Sequence, residues 1–283
     1  MKLISRRDFG KVAVGTLGGA ALASVTPLWS EGIAPTVFGG VKIGVQSYSF
    51  HDRSLEKALA AMVELGISHF ELWDGHLDSR QSSDDEFTAW GKTFQEAGVE
   101  IVAYNAGPKD DWTDEQIAHA FQCAKLLGTK ILTASLSKKL VPRLDRLCQK
   151  FQMKLGIHNH WNQPANPAFF ESPQDYEDAL KASSKWVGAN LDVGHFYAAG
   201  YDPVKFIDEH FARIIHVHLK DRDKDPQHTD RPFGEGGTPL PAIVHLLKKR
   251  AFKYSANIEW EVKDADPVKG VAAARDYLRK VLA

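Results

Sequence analysis

Hydrophobic and polar positions alternate in a regular order from residue 41 to the end of the chain. A short run of β-branched or apolar residues is followed by a polar turn, and then by a stretch with apolar positions at helical spacing. The pattern predicts eight strands, each followed by a helix. The runs are VKIGVQSYSF, ISHFELWDG, VEIVAYNAG, TKILTAS, MKLGIHNH, WVGANLDVGH, RIIHVHLKD and YSANIEWE, which begin at residues 41, 67, 99, 129, 153, 186, 213 and 254.

The ends of several predicted helices are marked by capping residues. Thr113 and Gln116 have the spacing of a capping box, in which each side chain bonds the backbone amide of the other residue. Ser172 precedes Pro173, the order found where a capping residue is followed by proline at the first helical position. The helix after the first strand is expected to end at Gly66, because glycine readily adopts the left-handed backbone conformation.

Strands that alternate with helices predict right-handed β-α-β units and a parallel sheet. Eight units in about 245 residues match a (β/α)₈ TIM barrel, for which about 250 residues is typical. A doubly wound open sheet is the alternative, but it usually has fewer strands and a glycine-rich phosphate turn. No GxGxxG motif follows any of the runs. We therefore predict an α/β fold in which residues 36–283 form a single TIM barrel of eight parallel strands.

The first 35 residues differ in composition from the rest. Arg6 and Arg7 precede a short stretch rich in glycine and alanine, and Ala21-Leu22-Ala23 forms an A-x-A cleavage site. This order is typical of a twin-arginine export signal, and the apolar stretch is shorter than the ~20 residues of a membrane span. We expect residues 1–35 to be an export signal and linker that engages the twin-arginine export machinery. Cleavage after Ala23 would leave a periplasmic protein; an uncleaved anchor and a disordered basic tail are the alternatives.

Charge and cysteine content limit the expected partners. The formal net charge is −1 and the sequence pI about 6.9, and neither half of the chain is conspicuously basic, so no nucleic acid partner is expected. Cys123 and Cys148 lack the spacing of a zinc knuckle, and we interpret them as buried thiols on helices. Assembly into a homo-oligomer stays open.

The active site of a TIM barrel lies at the carboxyl ends of its strands. Strands five to eight carry imidazole and carboxylate groups there, and side chains two positions apart share one face of a strand. Ionisable groups that converge in a barrel interior need a partner that offsets their desolvation. Imidazole and carboxylate without thiolate suit one divalent metal ion, which is Mn²⁺, Co²⁺, Zn²⁺, Fe²⁺ or Mg²⁺. The residues are His158, His160, Asn190, Asp192, His195, His216, His218, Lys220, Asp221, Glu259 and Glu261.

Several of these stretches resemble a known family. LDVGH, HVHLKD and NIEWE on strands six to eight, with GVQSYSF and FELWDG on strands one and two, are similar to the xylose isomerase-like sugar isomerase/epimerase family from residue 41 onward. The resemblance implies one divalent metal ion held between four barrel strands. By position, its implied ligands are His158, Asp192, His218 and Glu259. It also implies that Glu71, His195 and Lys220 contact substrate oxygens.

Strand five departs from the family pattern, because His158 stands where many members carry a glutamate. A metal-bound imidazole is a poor proton shuttle, so Glu259 or His160 is expected to be the base. Lys220 and His195 would orient oxygens or protonate a leaving group. The predicted catalytic residues are Glu259, His160, Lys220 and His195. The predicted substrate-binding residues are Glu71, Gln46, Asn105, Trp73, Trp161 and Arg222, and His228, Arg231 and Glu235 of the loop after strand seven are alternatives to Arg222.

The resemblance predicts a metal-dependent sugar isomerase or epimerase that acts on a small carbohydrate. It would remove a proton next to a carbonyl and pass through a metal-stabilised enediolate. The first alternative is a metal-dependent lyase or hydratase that eliminates a β-substituent from a 3-keto-glycoside or an inosose-like keto sugar. The second alternative, from another class, is an exported sugar-binding barrel without catalytic activity.

Overall fold

A computed structural model describes residues 33–161, 169–224, 227 and 229–283. Eight parallel strands form one closed sheet, because each strand pairs with the next along the chain and the last pairs with the first. The predicted (β/α)₈ barrel is therefore confirmed. The strands are β1 (Val41–Gln46), β2 (His69–Trp73), β3 (Glu100–Asn105), β4 (Ile131–Ala134), β5 (Lys154–His158), β6 (Val187–Asp192), β7 (Ile214–Leu219) and β8 (Ser255–Ile258).

The helices lie outside the barrel and follow the strands. They are α1 (Leu55–Leu65), α2 (Asp84–Glu96), α3 (Asp114–Leu126), α4 (Val141–Phe151), α5 (Pro173–Ala182), α6 (Val193–Ala198), α7 (Pro203–Glu209), α8 (Leu240–Lys249) and α9 (Pro267–Leu282). A short antiparallel ribbon, in which Asp221–Arg222 pairs with Asp230–Arg231, extends from the end of β7. The predicted export signal and its cleavage site lie in residues 1–32, outside the described residues.

The predicted capping residues begin and end their helices. The Thr113 hydroxyl accepts a hydrogen bond from the Gln116 amide (3.2 Å), and the Thr113 amide donates to Gln116 Oε1 (2.9 Å). Ser172 caps α5 in the same way, with Pro173 at its first position. Gly66 ends α1 with φ of 62°, a left-handed conformation that glycine adopts without steric cost.

One predicted strand ends earlier than its sequence run. The run at residues 186–195 was expected to be extended throughout, but β6 ends at Asp192 and α6 begins at Val193. Asp192 Oδ1 accepts a hydrogen bond from the His195 amide at 2.7 Å, so this carboxylate caps the new helix. As a result, His195 lies in the first turn of a helix at the carboxyl end of the barrel.

The strands divide their side chains between two environments. Leu155 and Ile157 of β5 have no exposed surface and belong to the apolar core. His158 follows Ile157, so the period of two turns it to the other face of the strand. The apolar side chains on one face of the strands therefore pack against the helices, while polar side chains on the other face lie inside the barrel. No helix in the described part of the chain is long and apolar enough to span a bilayer.

Both cysteines are free and buried on helices, as predicted. Burial raises the pKa of the Cys123 thiol to about 12 and raises that of Cys148 as well. Because the thiolate is the reactive form, we expect neither cysteine to react with Ellman's reagent in the native protein at about pH 8. Both should react after unfolding in guanidinium. Rapid release of thionitrobenzoate from the native protein would contradict this expectation.

Candidate active site

Four ionisable side chains from four neighbouring strands meet at the carboxyl end of the barrel. His158 ends β5, Asp192 ends β6, His218 lies on β7 and Glu259 directly follows β8. One ligand-type atom from each residue lies within 4.8 Å of those of the others. None of the four residues is more than 6% exposed. The structure therefore brings together the four residues that the resemblance implies as ligands.

The donor atoms of this group fit a divalent cation. Nδ1 of His158 is buried and has no hydrogen-bond partner among the described residues. Oδ2 of Asp192 is also buried without a hydrogen-bond partner among them, although the Lys220 ammonium lies 3.3 Å away. Such buried acceptors are costly unless something binds them. The other two members face each other, with Nδ1 of His218 3.1 Å from Oε2 of Glu259. Two imidazoles and two carboxylates around one point match the ligand preferences of Mn²⁺, Co²⁺, Fe²⁺ or Zn²⁺.

A second carboxylate holds His218 from the opposite side. Nε2 of His218 lies 2.7 Å from Oε2 of Glu71, a residue of β2 with no exposed surface. Oε2 of Glu71 also accepts a hydrogen bond from Asn257 (2.9 Å), and Oε1 accepts one from the Thr133 hydroxyl (2.5 Å). Although burial opposes the shift, His218 and His216 lower the pKa of Glu71 well below its usual value. Glu71 and Glu259 in turn raise the pKa of His218 well above its usual value, again against the effect of burial. Glu71 and the imidazolium therefore form a buried ion pair.

This arrangement corrects the expected position of Glu71. The resemblance implied that Glu71 contacts a substrate oxygen, but protein donors occupy both of its oxygens and it does not line the cavity. A carboxylate behind a metal-binding imidazole fixes the tautomer and the orientation of the ring. The geometry therefore makes Glu71 a positioning residue for His218, whose Nδ1 faces the four-residue group.

Lys220 places one positive charge among the carboxylates of the site. Its ammonium lies 3.3 Å from Asp192, 3.1 Å from Glu259 and 3.2 Å from Glu261, and the residue is 1% exposed. Burial lowers its pKa, but Asp192 and Glu259 outweigh that effect and the pKa is raised well above its usual value. Lys220 stays charged at neutral pH, and it lies behind the cavity wall rather than in its lining.

Two further imidazoles face the site in their neutral form. Nδ1 of His195 accepts a hydrogen bond from Arg222 (2.5 Å), and burial together with Lys220 lowers the pKa of His195 well below its usual value. Nε2 of His160 lies 2.9 Å from the Ser135 hydroxyl, and burial together with Lys220 lowers the pKa of His160 to about 4. Because Arg222 occupies the acceptor nitrogen of neutral His195, the Nε2–H of that ring can donate to a substrate oxygen. The neutral ring of His160 can donate or accept one hydrogen bond through Nδ1, depending on its tautomer.

A cavity of about 390 Å³ opens over these groups. Five of the six predicted substrate-binding residues line it, all but Glu71. Three of the four predicted catalytic residues also line it, all but Lys220. The described residues that line it are Gln46, Tyr48, Trp73, Asn105, Ser135, His158, His160, Trp161, His195, His218, Arg222, Glu259 and Glu261. His228 lies outside the described residues.

Sequence reasoning gave no role to two of the lining residues, Tyr48 and Ser135. Each stands at the end of a predicted strand, so the rule that barrel sites form at strand ends could have identified them. Ser135, which bonds His160, is the last residue of the run TKILTAS. Glu261, which was among the ionisable groups expected at this end of the barrel, also lines the cavity.

The affinity of this site for a metal ion is expected to rise with pH. Burial raises the pKa of Asp192 to about 7, and Lys220 opposes that increase. Below this pH a proton occupies the carboxyl group and must leave before the oxygen can bind a cation. His218, whose pKa is raised well above its usual value, must also lose a proton before Nδ1 can bind a cation. Calorimetric titration with Mn²⁺ should therefore show an affinity that rises by about tenfold or more per unit from about pH 5 to 8. A constant affinity across this range would contradict the prediction.

Comparison with known proteins gives a family match over most of the chain. Residues 59–281 match the family model described as xylose isomerase-like TIM barrel. Escherichia coli K12 SgbU, provisionally named L-ribulose-5-phosphate 3-epimerase, is 33% identical over 102 residues (34% of this chain, 36% of that protein). Inosose dehydratase of Geobacillus kaustophilus is 26% identical over 171 residues (57% of this chain, 52% of that protein). The chain spans between about a third and about half of the length of the curated relatives it matches.

A solved structure extends the likeness to the whole barrel. The crystal structure of the IolI protein with a bound zinc atom has a TM-score of 0.67 and covers 86% of this chain and 98% of its own. The two sequences are 17% identical, so the likeness concerns the fold.

Proposed function

The chain belongs to the xylose isomerase-like TIM-barrel family, and on that basis we propose that it is a divalent-metal-dependent carbohydrate enzyme of the isomerase/epimerase type. It would remove a proton next to the carbonyl group of a sugar. One observation carries the proposal: the buried group of His158, Asp192, His218 and Glu259 lies at the floor of a cavity that Glu259 itself lines. The epimerase and dehydratase among the relatives support a carbohydrate substrate.

The four-residue group would hold the metal ion, which supplies a Lewis acid that makes the hydrogen next to the carbonyl more acidic. Glu259 is suited to accept that proton. Lys220 and His218 lower its pKa well below the usual value although burial opposes this, so Glu259 is ionised at neutral pH. The neutral ring of His195 and the guanidinium of Arg222 lie where they can orient substrate oxygens.

The second candidate is β-elimination by a lyase, and a specific observation favours it. Epimerisation by two bases needs a proton acceptor on each face of the substrate. At the end of β5 this chain presents the imidazoles of His158 and His160, and the pKa of His160 is about 4. If Glu259 is the only base, the reaction can end with loss of a β-substituent instead of the return of a proton.

Incubation of the metal-loaded protein with keto sugars and 3-keto-glycosides in D₂O tests these proposals. An isomerase or epimerase incorporates deuterium next to the carbonyl and keeps all substituents, which NMR detects. A lyase releases the β-substituent and produces a conjugated enone, which absorbs in the ultraviolet. Binding without either change would show a sugar-binding barrel and would refute the enzymatic proposal.

We also propose that the protein is exported to the periplasm. The support is the sequence order of Arg6-Arg7, an apolar stretch and an A-x-A site. In a host with a twin-arginine system, replacing both arginines by lysine (R6K/R7K) should keep the protein in the cytoplasm. Equal periplasmic amounts of the variant and the original protein would contradict this proposal.

A further inference from the structure

The charge of the cavity restricts the kind of sugar it can bind. Arg222 is the single arginine or lysine among the described residues that line the cavity, and it is 5% exposed. Its Nε lies 3.0 Å from Oδ1 of Asp230 and its Nη2 lies 3.3 Å from Oδ2 of the same residue. Its Nη1 donates to His195 at 2.5 Å. The guanidinium is therefore ion-paired with Asp230, which neutralises its charge, and one of its nitrogens is bonded to His195.

The other described lysines and arginines between β7 and α8 also have partners, and none of them lines the cavity. Three carboxylates surround Lys220. Nε of Arg231 lies 2.6 Å from Asp223, and Nζ of Lys224 lies 4.2 Å from the centre of the Tyr197 ring. The ten residues between 161 and 229 that lie outside the described ranges, 162–168, 225, 226 and 228, include neither lysine nor arginine.

Apart from Arg222 and His218, whose imidazolium is paired with Glu71, the described lining of the cavity is neutral or acidic. Glu259 and Glu261 contribute carboxylates to the lining, whereas Gln46 and Asn105 contribute amides. Tyr48, Trp73 and Trp161 add aromatic rings, which suit the C–H faces of a sugar. A phosphate or carboxylate group that entered this space would lose hydration and gain no uncompensated cation in return, so its binding is unfavourable.

We propose that the cavity selects an uncharged keto sugar or keto-cyclitol and rejects the corresponding phosphate ester or sugar acid. That the substrate carries a carbonyl group rests on the proposed function. The selection against charged sugars follows from the ion pairs alone. It also distinguishes this chain from enzymes in which an arginine or lysine of the cavity binds the phosphate group of the sugar.

A matched pair of probes tests this selection. Binding of L-ribulose and of L-ribulose 5-phosphate to the metal-loaded protein can be followed by quenching of tryptophan fluorescence, since Trp73 and Trp161 line the cavity. The proposal expects the free ketose to bind more tightly than the ester. A wild-type protein that binds the ester as tightly as the ketose, or more tightly, would overturn it.

Two variants keep the test independent of the identity of the natural substrate. Asp230→Asn removes the charge that neutralises Arg222, and it should raise the affinity for the phosphate ester by about tenfold or more. Asp223→Asn breaks the Arg231 ion pair outside the cavity lining and serves as the matched control, with unchanged affinity for the ester. Equal affinities of the D230N variant and the wild-type protein for the ester would refute the proposal.

Deuterium exchange by NMR, run on the same samples, addresses the proposed function separately. If D230N gains ester affinity but neither probe exchanges and no other keto sugar does, the charge selection stands and the enzymatic proposal fails. If the ester both binds and exchanges best in the wild-type protein, the enzymatic proposal stands and the charge selection fails.

Discussion

Replacing Glu259 by glutamine is expected to abolish turnover and to weaken metal binding together. Glutamine keeps the size of the side chain but cannot accept the substrate proton, which should reduce turnover by about 10²- to 10⁴-fold. It also removes one of two carboxylates from the four-residue group, so the affinity for Mn²⁺ should fall. Metal titration and the deuterium exchange assay measure the two effects independently.

The adjacent residue Glu261 supplies the matched control. Its carboxylate lines the same cavity and also contacts Lys220, at 3.2 Å, but it does not belong to the four-residue group. Glu261→Gln should therefore leave metal affinity unchanged and reduce turnover much less than Glu259→Gln. Retained turnover in the E259Q variant would refute the assignment of Glu259 as the base.

Replacing Glu71 by glutamine is expected to weaken metal binding although Glu71 does not belong to the four-residue group. The carboxylate holds Nε2 of His218 at 2.7 Å, and loss of such a partner typically costs about 10- to 100-fold in metal affinity. It also breaks a buried ion pair, so the free energy of unfolding of the metal-free protein should fall by about 3–5 kcal/mol. Metal titration and urea unfolding measure the two effects.

The pH at which this stability loss is measured matters. The lowered pKa of Glu71 contributes stability that is present above its unfolded value, about 4.5, and is lost as the pH falls. The raised pKa of His218 contributes stability that is complete below its unfolded value, about 6.5, and is lost as the pH rises through the folded value. The difference between wild type and E71Q should therefore be largest between about pH 5 and 6.5.

Another glutamate–histidine pair in the same barrel supplies the control for Glu71. Glu100 lies 3.6 Å from Nε2 of His69, but its side chain is 58% exposed. Glu100→Gln should change stability by less than about 1 kcal/mol and leave metal affinity unchanged, because exposed ion pairs contribute little. Equal metal affinity of the E71Q variant and the wild-type protein would refute the positioning role.

The sequence predicts the barrel and most of the cavity for a physical reason. Each candidate side chain stands at the end of an apolar run, and the carboxyl ends of parallel strands must meet at one end of the barrel. The order of His158, Asp192, His218 and Glu259 along the chain is also their order around the barrel, since neighbouring strands pair in sequence. Chain position and strand periodicity are therefore sufficient to group them.

Which partner each side chain contacts within the barrel was harder to predict from the sequence. Glu71 lies where the pairing of β2 with β3 shifts its register, between Phe70 and Glu71, and a period of two cannot locate such a shift. The partner of Arg222 depends on the ribbon that pairs Asp230 with Arg222, eight residues apart. No local pattern indicates that these two residues face each other, so only the fold shows that Asp230 neutralises the charge of Arg222.

The carboxylate of Asp192 has two roles, one in a helix cap and one in the candidate metal site. Its Oδ1 accepts a hydrogen bond from the His195 amide and so caps the first turn of α6. Asp192 is at the same time a member of the four-residue group. A cap of this kind contributes about 0.5–2 kcal/mol to a helix. Fraying of α6 would therefore release Asp192 and displace His195 in a single local opening, and a ligand that occupies the cavity resists this opening for as long as it stays bound.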